Sequence, residues 1–546
     1  MVSLLDGWSV RVGILLGLSL SLLIVWGLDR PRGRWGIALR KRFLLGVPWG
    51  TLVSVVGVLA VYLFVQGGWN HWRNPVTVAF ASWSYLYPVG MALGSFSHAG
   101  PSHLLGNVTS TLVVAPLAEY YFSHFPTERG ESSFSSWRTN PWFRAFVLFP
   151  IGVVLCGLGT SVFAWGPVIG FSGVLFAFVG FALVRYPLGT VVALSAQGVV
   201  HTIYLALQEP QITGQASSSY SNPWWFGIAV QGHTLGLFLG ALAGLYLLRR
   251  RRVRVSALRT WAGAFVLLMS LSLWALWWYR GLEKYVLFRG LGVVFVLALA
   301  ILLAVAIRTT DRKSFGPRAR QAGTVLFLIP LVVMAGVAIP VNLTAVDGDG
   351  TAGVDSGVSI RDYTVMYAEN VPNQKVSVVD VSLGGETTQV NTSGVIVVNE
   401  DREIWSREVS KGRLAHVGRS TVRVGGLGWT EAVQVRRVGW SADGGGTAYH
   451  VWLRPKSGSW RHAFASGPAT ATPVLAGKNV SIVPRNGRFA IRLTEKNNAT
   501  LAAAPLPDRN SSVTLGGTEF TRKGGKLVAA VDDTRVVVAR KETYRN

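Results

Sequence analysis

Ten stretches of this 546-residue chain run almost unbroken in apolar residues: 10–28, 43–66, 102–122, 143–163, 168–186, 188–207, 227–248, 261–279, 286–307 and 321–340. An α-helix rises about 1.5 Å per residue, so about 20 apolar residues cross the roughly 30 Å hydrocarbon layer of a membrane. Each stretch therefore predicts a membrane-spanning helix. The first is too long for a signal sequence, its positive charges follow it rather than precede it, and it has no small-residue cleavage site. After Pro340 the pattern changes. "VNLTAVDGDGTAGVDSGVS" is a linker rich in Gly, Asp, Ser and Thr, and beyond it short runs alternate between polar and apolar residues. "KVSVVDVSL", "GVIVVNE", "STVRVGG", "AYHVWLRP", "GRFAIRLT" and "TRVVVARK", set apart by turn signals, predict an all-β, sandwich-like region of antiparallel strands. The expected organisation is an extra helix with a basic loop (1–42), a core of six spans (43–248), three further spans (249–340), a linker (341–360) and a β-rich domain (361–546). No internal repeat is visible.

Composition narrows the picture. Half of the residues are hydrophobic and the formal net charge is +25. A basic chain can signal nucleic-acid binding. Here residues 1–340 hold 26 Lys/Arg against 8 Asp/Glu, and the basic residues gather at the ends of apolar runs, which is the positive-inside pattern of a multi-pass membrane protein. "DRPRGRWGIALRKR" (29–42), "RRRRVR" (249–254) and "RTTDRKSFGPRAR" (308–320) all fall on one side if ten spans are correct. That side is read as the cytoplasm of a cell-membrane protein, with both termini outside. Five sequons, at Asn342, Asn391, Asn479, Asn498 and Asn510, fit an outside location for the C-terminal region. Cys156 is the single cysteine, which excludes disulfides within the chain and cysteine-based metal sites. The histidines show no ligand spacing, so no metal and no cofactor is expected.

Polar side chains inside spans are costly and mark candidate sites. The set is His98, His103, Asn107, Glu119, Ser172, His201 and His233. With both termini outside, His103 and Asn107 lie in the first two turns of one helix, four residues apart and so on one face. Ser172 opens another helix, and His233 lies on the second turn of a third. At 1.5 Å per residue all four fall within roughly 10 Å of depth. A hydroxyl, a base and two hydrogen-bond donors in one layer are what acyl transfer needs. Gly170 and Gly173 allow close backbone approach and free the Ser172 amide. Gly232, Gly236, Gly240 and Gly244 recur every four residues as a small-residue face that would press the histidine helix onto the serine helix. "GFSG" is not the G-x-S-x-G elbow of soluble hydrolases, because Val174 stands at the last glycine and no strand precedes it. Glu119 and His201 read as structural, and His98 as a brace for the outer loop.

"SHAGPSHLLGN" (97–107), "GFSG" (170–173) and "GHTLGLFLG" (232–240), in that order on core helices two, four and six, resemble the rhomboid intramembrane serine proteases over about residues 43–248. The resemblance implies a Ser172/His233 dyad, with an oxyanion hole of His103, Asn107 and the Ser172 amide. It gives Gly170, Gly173, Gly236 and Phe176 supporting roles and makes transmembrane proteins the substrates, cut near the outer face. Glu119 matches the acidic residue closing the family's second helix. Two features depart from the pattern. The aromatic-Arg pair that often precedes the first histidine is replaced by "YLYPVG", Trp72-Arg73 lying too early, so the outer loop 67–97 is expected to be built differently. Phe176 stands where Tyr often stacks on the imidazole. The rival reading is a non-catalytic relative that binds membrane clients. A transporter is more distant, since paired charges at mid-membrane are missing. The β-rich domain is expected to meet an extracellular partner, and lipid is expected around the spans.

Overall fold

The computed structural model describes residues 7–29, 33–126, 129–210, 223–280, 284–311, 316–346, 357–375, 390–495 and 499–545. The chain divides into two compact units, Met1–Tyr279 with Tyr285–Thr344, and Ala345–Asn546 with the short insert Arg280–Lys284.

The first unit is helical. Among the described residues, a helix falls on each of the ten apolar stretches: Gly7–Asp29, Trp49–Val65, Pro101–Phe122, Pro141–Val162, Ser172–Arg185, Pro187–Gln208, Val230–Arg251, Ala257–Ser270, Arg289–Thr310 and Pro317–Leu343. Six of these are long and apolar enough to cross a membrane, and Trp49–Val65, Ser172–Arg185 and Ala257–Ser270 are shorter. The protein is thus a helical multi-pass membrane protein with a β-rich C-terminal region. Two elements were not expected. The basic segment forms a helix of its own, Arg34–Arg42. The stretch expected to be helical to residue 279 stops at Ser270, and Trp277–Tyr279 pairs with Tyr285–Leu287 as an antiparallel hairpin. Its run of Trp and Tyr is apolar enough to look like a span, yet aromatic residues favour strands.

Ser172–Arg185 is the centre of this unit, buried along nearly its whole length. It packs on Pro101–Phe122 on one side and on Val230–Arg251 on another. Glycines make the second contact. A Cβ at Gly236 would lie 2.0 Å from the Gly173 carbonyl oxygen, and one at Gly240 would lie 1.9 Å from that of Ala177. Gly180 answers from the other helix, where a Cβ would lie 2.1 Å from the Leu237 oxygen. The expected glycine face is therefore real from Gly236 onward, but Gly232 looks into open space.

Buried polar groups fix the far end of the core. The Glu119 carboxylate accepts the Gly50 amide at 2.7 Å, the Thr51 amide at 2.8 Å and the Thr51 hydroxyl at 2.7 Å. It therefore caps, from another helix, amides at the start of Trp49–Val65 that have no intrahelical partner. His124 accepts the Leu44 amide on Nδ1 at 2.8 Å, which leaves the proton on Nε2 to meet Glu119 at 2.6 Å. The C-terminal carbonyls of Pro101–Phe122 are taken by arginines: Arg144 donates to Phe122 and Ser123, and Arg251 to Tyr121 and Phe122.

The last two long helices pack beside Val230–Arg251, where Phe238 stacks on Phe327 with centroids 5.0 Å apart. Pro317–Leu343 runs past Pro340 and buries Asn342 completely. The Asn342 amide donates to the carbonyls of Val162 and Ala164, so this sequon is no exposed glycan acceptor. Asn498 and most of "KVSVVDVSL" lie outside the described residues, as does the linker from 347 to 356.

In the second unit all strand pairs among the described residues are antiparallel. Val358–Ile360, Tyr363–Pro372, Asn391–Asn399 and Ile404–Ser410 form one sheet. Trp429–Ala442 and Thr447–Pro455 lead an eight-stranded sheet that also takes in the C-terminal strands. A four-stranded sheet around Asn479–Arg485 and Arg488–Thr494 shares its core with the eight-stranded one, through Trp440, Ile482, Ile491, Phe520 and Leu527.

Candidate active site

Ser172 is the first residue of its helix. A helix leaves its first amides without intrahelical partners, so the Ser172 N–H is available to an outside acceptor. The helix is 14 residues long, about 21 Å, against a hydrocarbon layer of roughly 30 Å. A helix of that length starting at one face of such a layer would end roughly 10 Å short of the other. The chain must reach that depth as non-helical backbone, which is tolerated only where protein satisfies it. The segment 82–94 does so. Ser82 donates its amide to the Val168 carbonyl at 3.1 Å, and Gly170 donates to the Gly94 carbonyl at 2.9 Å.

Opposite Ser172, His233 points its Nε2 at the Ser172 Oγ at 2.9 Å. The Phe176 ring, one turn along from Ser172, lies parallel to the imidazole with centroids 4.4 Å apart and planes 10° from parallel. That stack, together with the glycine contact below it, holds the ring in one orientation. Nδ1 of His233 is buried and meets no hydrogen-bond partner among the described residues, so no carboxylate orients this imidazole.

His103 and Asn107 approach from Pro101–Phe122. Gly170 has φ +132°, where an L side chain is strained, and a Cβ there would lie 2.5 Å from His103 Cε1 and 3.7 Å from Asn107 Nδ2. A bare backbone is thus what lets both side chains sit against the residues leading into Ser172. Asn107 Nδ2 meets His98 Nε2 at 3.0 Å, and the His98 and His103 rings meet edge to face at 5.1 Å. His98 is held in turn by Gln66, which accepts the His98 amide at 2.7 Å and donates to its carbonyl at 2.9 Å.

The structure therefore gathers Ser172, His233, His103, Asn107, His98, Gly170 and Phe176, while Gly173 and Gly236 form the contact beneath them. Glu119 lies at the far end of its helix, and His201 is half-buried on Pro187–Gln208 and enters none of these hydrogen bonds. Sequence reading missed Gln66, Ser82 and Gln231, the last of which donates its amide to the Phe163 carbonyl. Each acts on backbone across a long separation, and no local spacing signals that. It also missed a pair in the second unit, where His450 Nδ1 meets His462 Nε2 at 2.7 Å. Burial lowers the pKa of His450 from its ordinary value.

The fold and these groups define a multi-pass membrane protein with a half-buried, hydrogen-bonded serine–histidine pair between two of its helices. Residues 85–250 match the Rhomboid domain family model, as the resemblance in the motifs implies. That family includes intramembrane serine proteases and inactive relatives, and its members act on transmembrane proteins. No curated protein and no solved structure matches the chain.

Proposed function

We propose that this protein is an intramembrane serine protease that cleaves transmembrane substrates near the outer face of the membrane. The observation that carries the reading is the 2.9 Å Ser172–His233 hydrogen bond beneath a stacked Phe176, at the head of a buried helix. Ser172 Oγ attacks the scissile carbonyl while His233 Nε2 takes its proton, then returns it to the leaving amine. The tetrahedral oxyanion is held by the Ser172 amide, His103 and Asn107. Water then hydrolyses the ester by the same histidine, and the outer depth of the pair gives water a short path. The β-rich region contributes no reacting group in this reading. It recruits substrates or an extracellular partner, and both termini lie outside. A non-catalytic client-binding role is disfavoured by an intact, hydrogen-bonded pair.

A serine-directed fluorophosphonate should label the detergent-solubilised protein once, at Ser172, and labelling should vanish in His233→Ala. Absence of label at Ser172 in folded protein would overturn the reading.

The oxyanion donors make a separate prediction. Losing one of several donors costs about 10²–10³ in rate. Asn107→Ala and His103→Ala should each leave a folded enzyme with kcat lowered by about that factor on a transmembrane peptide. Full turnover in both variants would remove these residues from the site.

A further inference from the structure

Resting on the protease reading, we propose that Asn342, at the end of the last membrane helix and outside the matched domain, is a positioning residue for the Ser172–His233 pair. The argument begins with the end of Pro141–Val162. The last carbonyls of a helix have no intrahelical partner, and here they lie beneath the outer surface, where water cannot be counted on to satisfy them. Three separate elements supply donors. Tyr85 of the outer loop donates its hydroxyl to the Val162 carbonyl at 2.7 Å. Gln231, two residues before His233, donates to Phe163 at 2.9 Å and accepts the Trp165 amide at 3.2 Å. Asn342 donates to Ala164 at 2.8 Å and to Val162 at 3.3 Å.

Every carbonyl from 162 to 164 is thus held from outside its own segment, and that segment leads directly into Gly170 and Ser172. The last helix adds two further ties to the same region. Trp165 Nε1 donates to the Met334 carbonyl at 2.8 Å, and the Asn342 carbonyl accepts the Tyr85 amide at 3.1 Å and the Ser84 hydroxyl at 2.9 Å. Asn342 is fully buried. It therefore joins, at one point, the outer loop that supports Val168 and Gly170, the segment that delivers the serine, and, through the Phe163–Gln231 bonds, the helix that delivers the histidine. A side chain that only filled space there would not need an amide. An amide nitrogen has two N–H donors, enough for the carbonyls of both Val162 and Ala164.

Because Asn342 touches none of the reacting groups, its loss should misplace the serine segment rather than change the chemistry. The experiment measures kcat and KM of the full-length protein on a transmembrane peptide for Asn342→Leu, which keeps volume and removes both donors. Asn342→Ser is measured in parallel by the same criterion, so that a folding failure of one leaves the other. Thermal unfolding is followed alongside, and turnover is read at a temperature where each variant is fully folded. The expected result is a kcat lowered about 10- to 100-fold, as a misplacement of about 1 Å costs, with KM within about twofold. Tyr85→Phe, which removes the other side-chain donor to the Val162 carbonyl, should give a smaller loss. Its effect combined with Asn342→Leu should depart from the product of the two single effects by at least about threefold, the mark of groups that act on one element. Folded variants with wild-type kcat, or single losses that simply multiply, would overturn the proposal. Cleavage that needs Ser172 but is indifferent to Asn342 sinks this inference alone. Cleavage that survives Ser172→Ala sinks the protease reading and this inference with it.

Discussion

Ser172→Ala and His233→Ala are each expected to reduce cleavage of a transmembrane peptide by about 10⁴-fold or more, to the background of the assay. The double variant should be no slower than either single one. The reason is the single hydrogen bond between them. Without Oγ there is nothing for Nε2 to deprotonate, and without Nε2 the hydroxyl keeps its proton, so the two side chains act as one unit. Nδ1 of His233 meets no partner among the described residues, and so none of these should show an effect of this size through that atom. Both side chains are half-buried and neither closes the glycine contact, so unfolding midpoints should move little. Purified Ser172→Ala that turns over substrate at the wild-type rate would end the assignment.

The membrane half was legible because its signals are long or repeated. Each of the ten apolar runs holds a helix among the described residues, six of them long and apolar enough to cross a membrane, because a helix satisfies its own backbone in hydrocarbon. His103 and Asn107 share a face because four residues make about one turn, and Gly236 and Gly240 read as a packing face for the same reason. The limits have physical causes as well. Gly232 continues the four-residue spacing yet faces open space, because the helix runs past its neighbour before that point. Trp277–Tyr279 scores as apolar as a span, and only its aromatic character and the return strand distinguish it. Asn342 read as a surface sequon, whereas its amide caps carbonyls about 180 positions earlier in the chain. The Glu119 carboxylate likewise serves amides roughly 70 positions away, so its structural role could be guessed but its partners could not.

Gly236→Ala should lower turnover by about 100-fold, although it adds only one methyl and removes no reacting group. On an isolated helix the change would be favourable by about 1 kcal/mol, because glycine is a poor helix former. Here the added Cβ would fall 2.0 Å from the Gly173 carbonyl oxygen, a backbone atom that cannot swing aside as a side chain would. The two helices must separate, and the contact lies next to Ser172 on one helix and three residues from His233 on the other. An opening of about 1 Å lengthens the 2.9 Å Ser172–His233 bond out of range, which should lower turnover by about 100-fold. Helix separation also exposes packed surface, so the unfolding midpoint should fall together with activity, unlike in Ser172→Ala. Gly232→Ala is the control. It lies on the same helix directly before His233, a Cβ there meets nothing within 4 Å, and activity and stability should stay at the wild-type level or rise slightly. Equal activity in Gly236→Ala and Gly232→Ala would mean that glycine packing does not set the distance between serine and histidine.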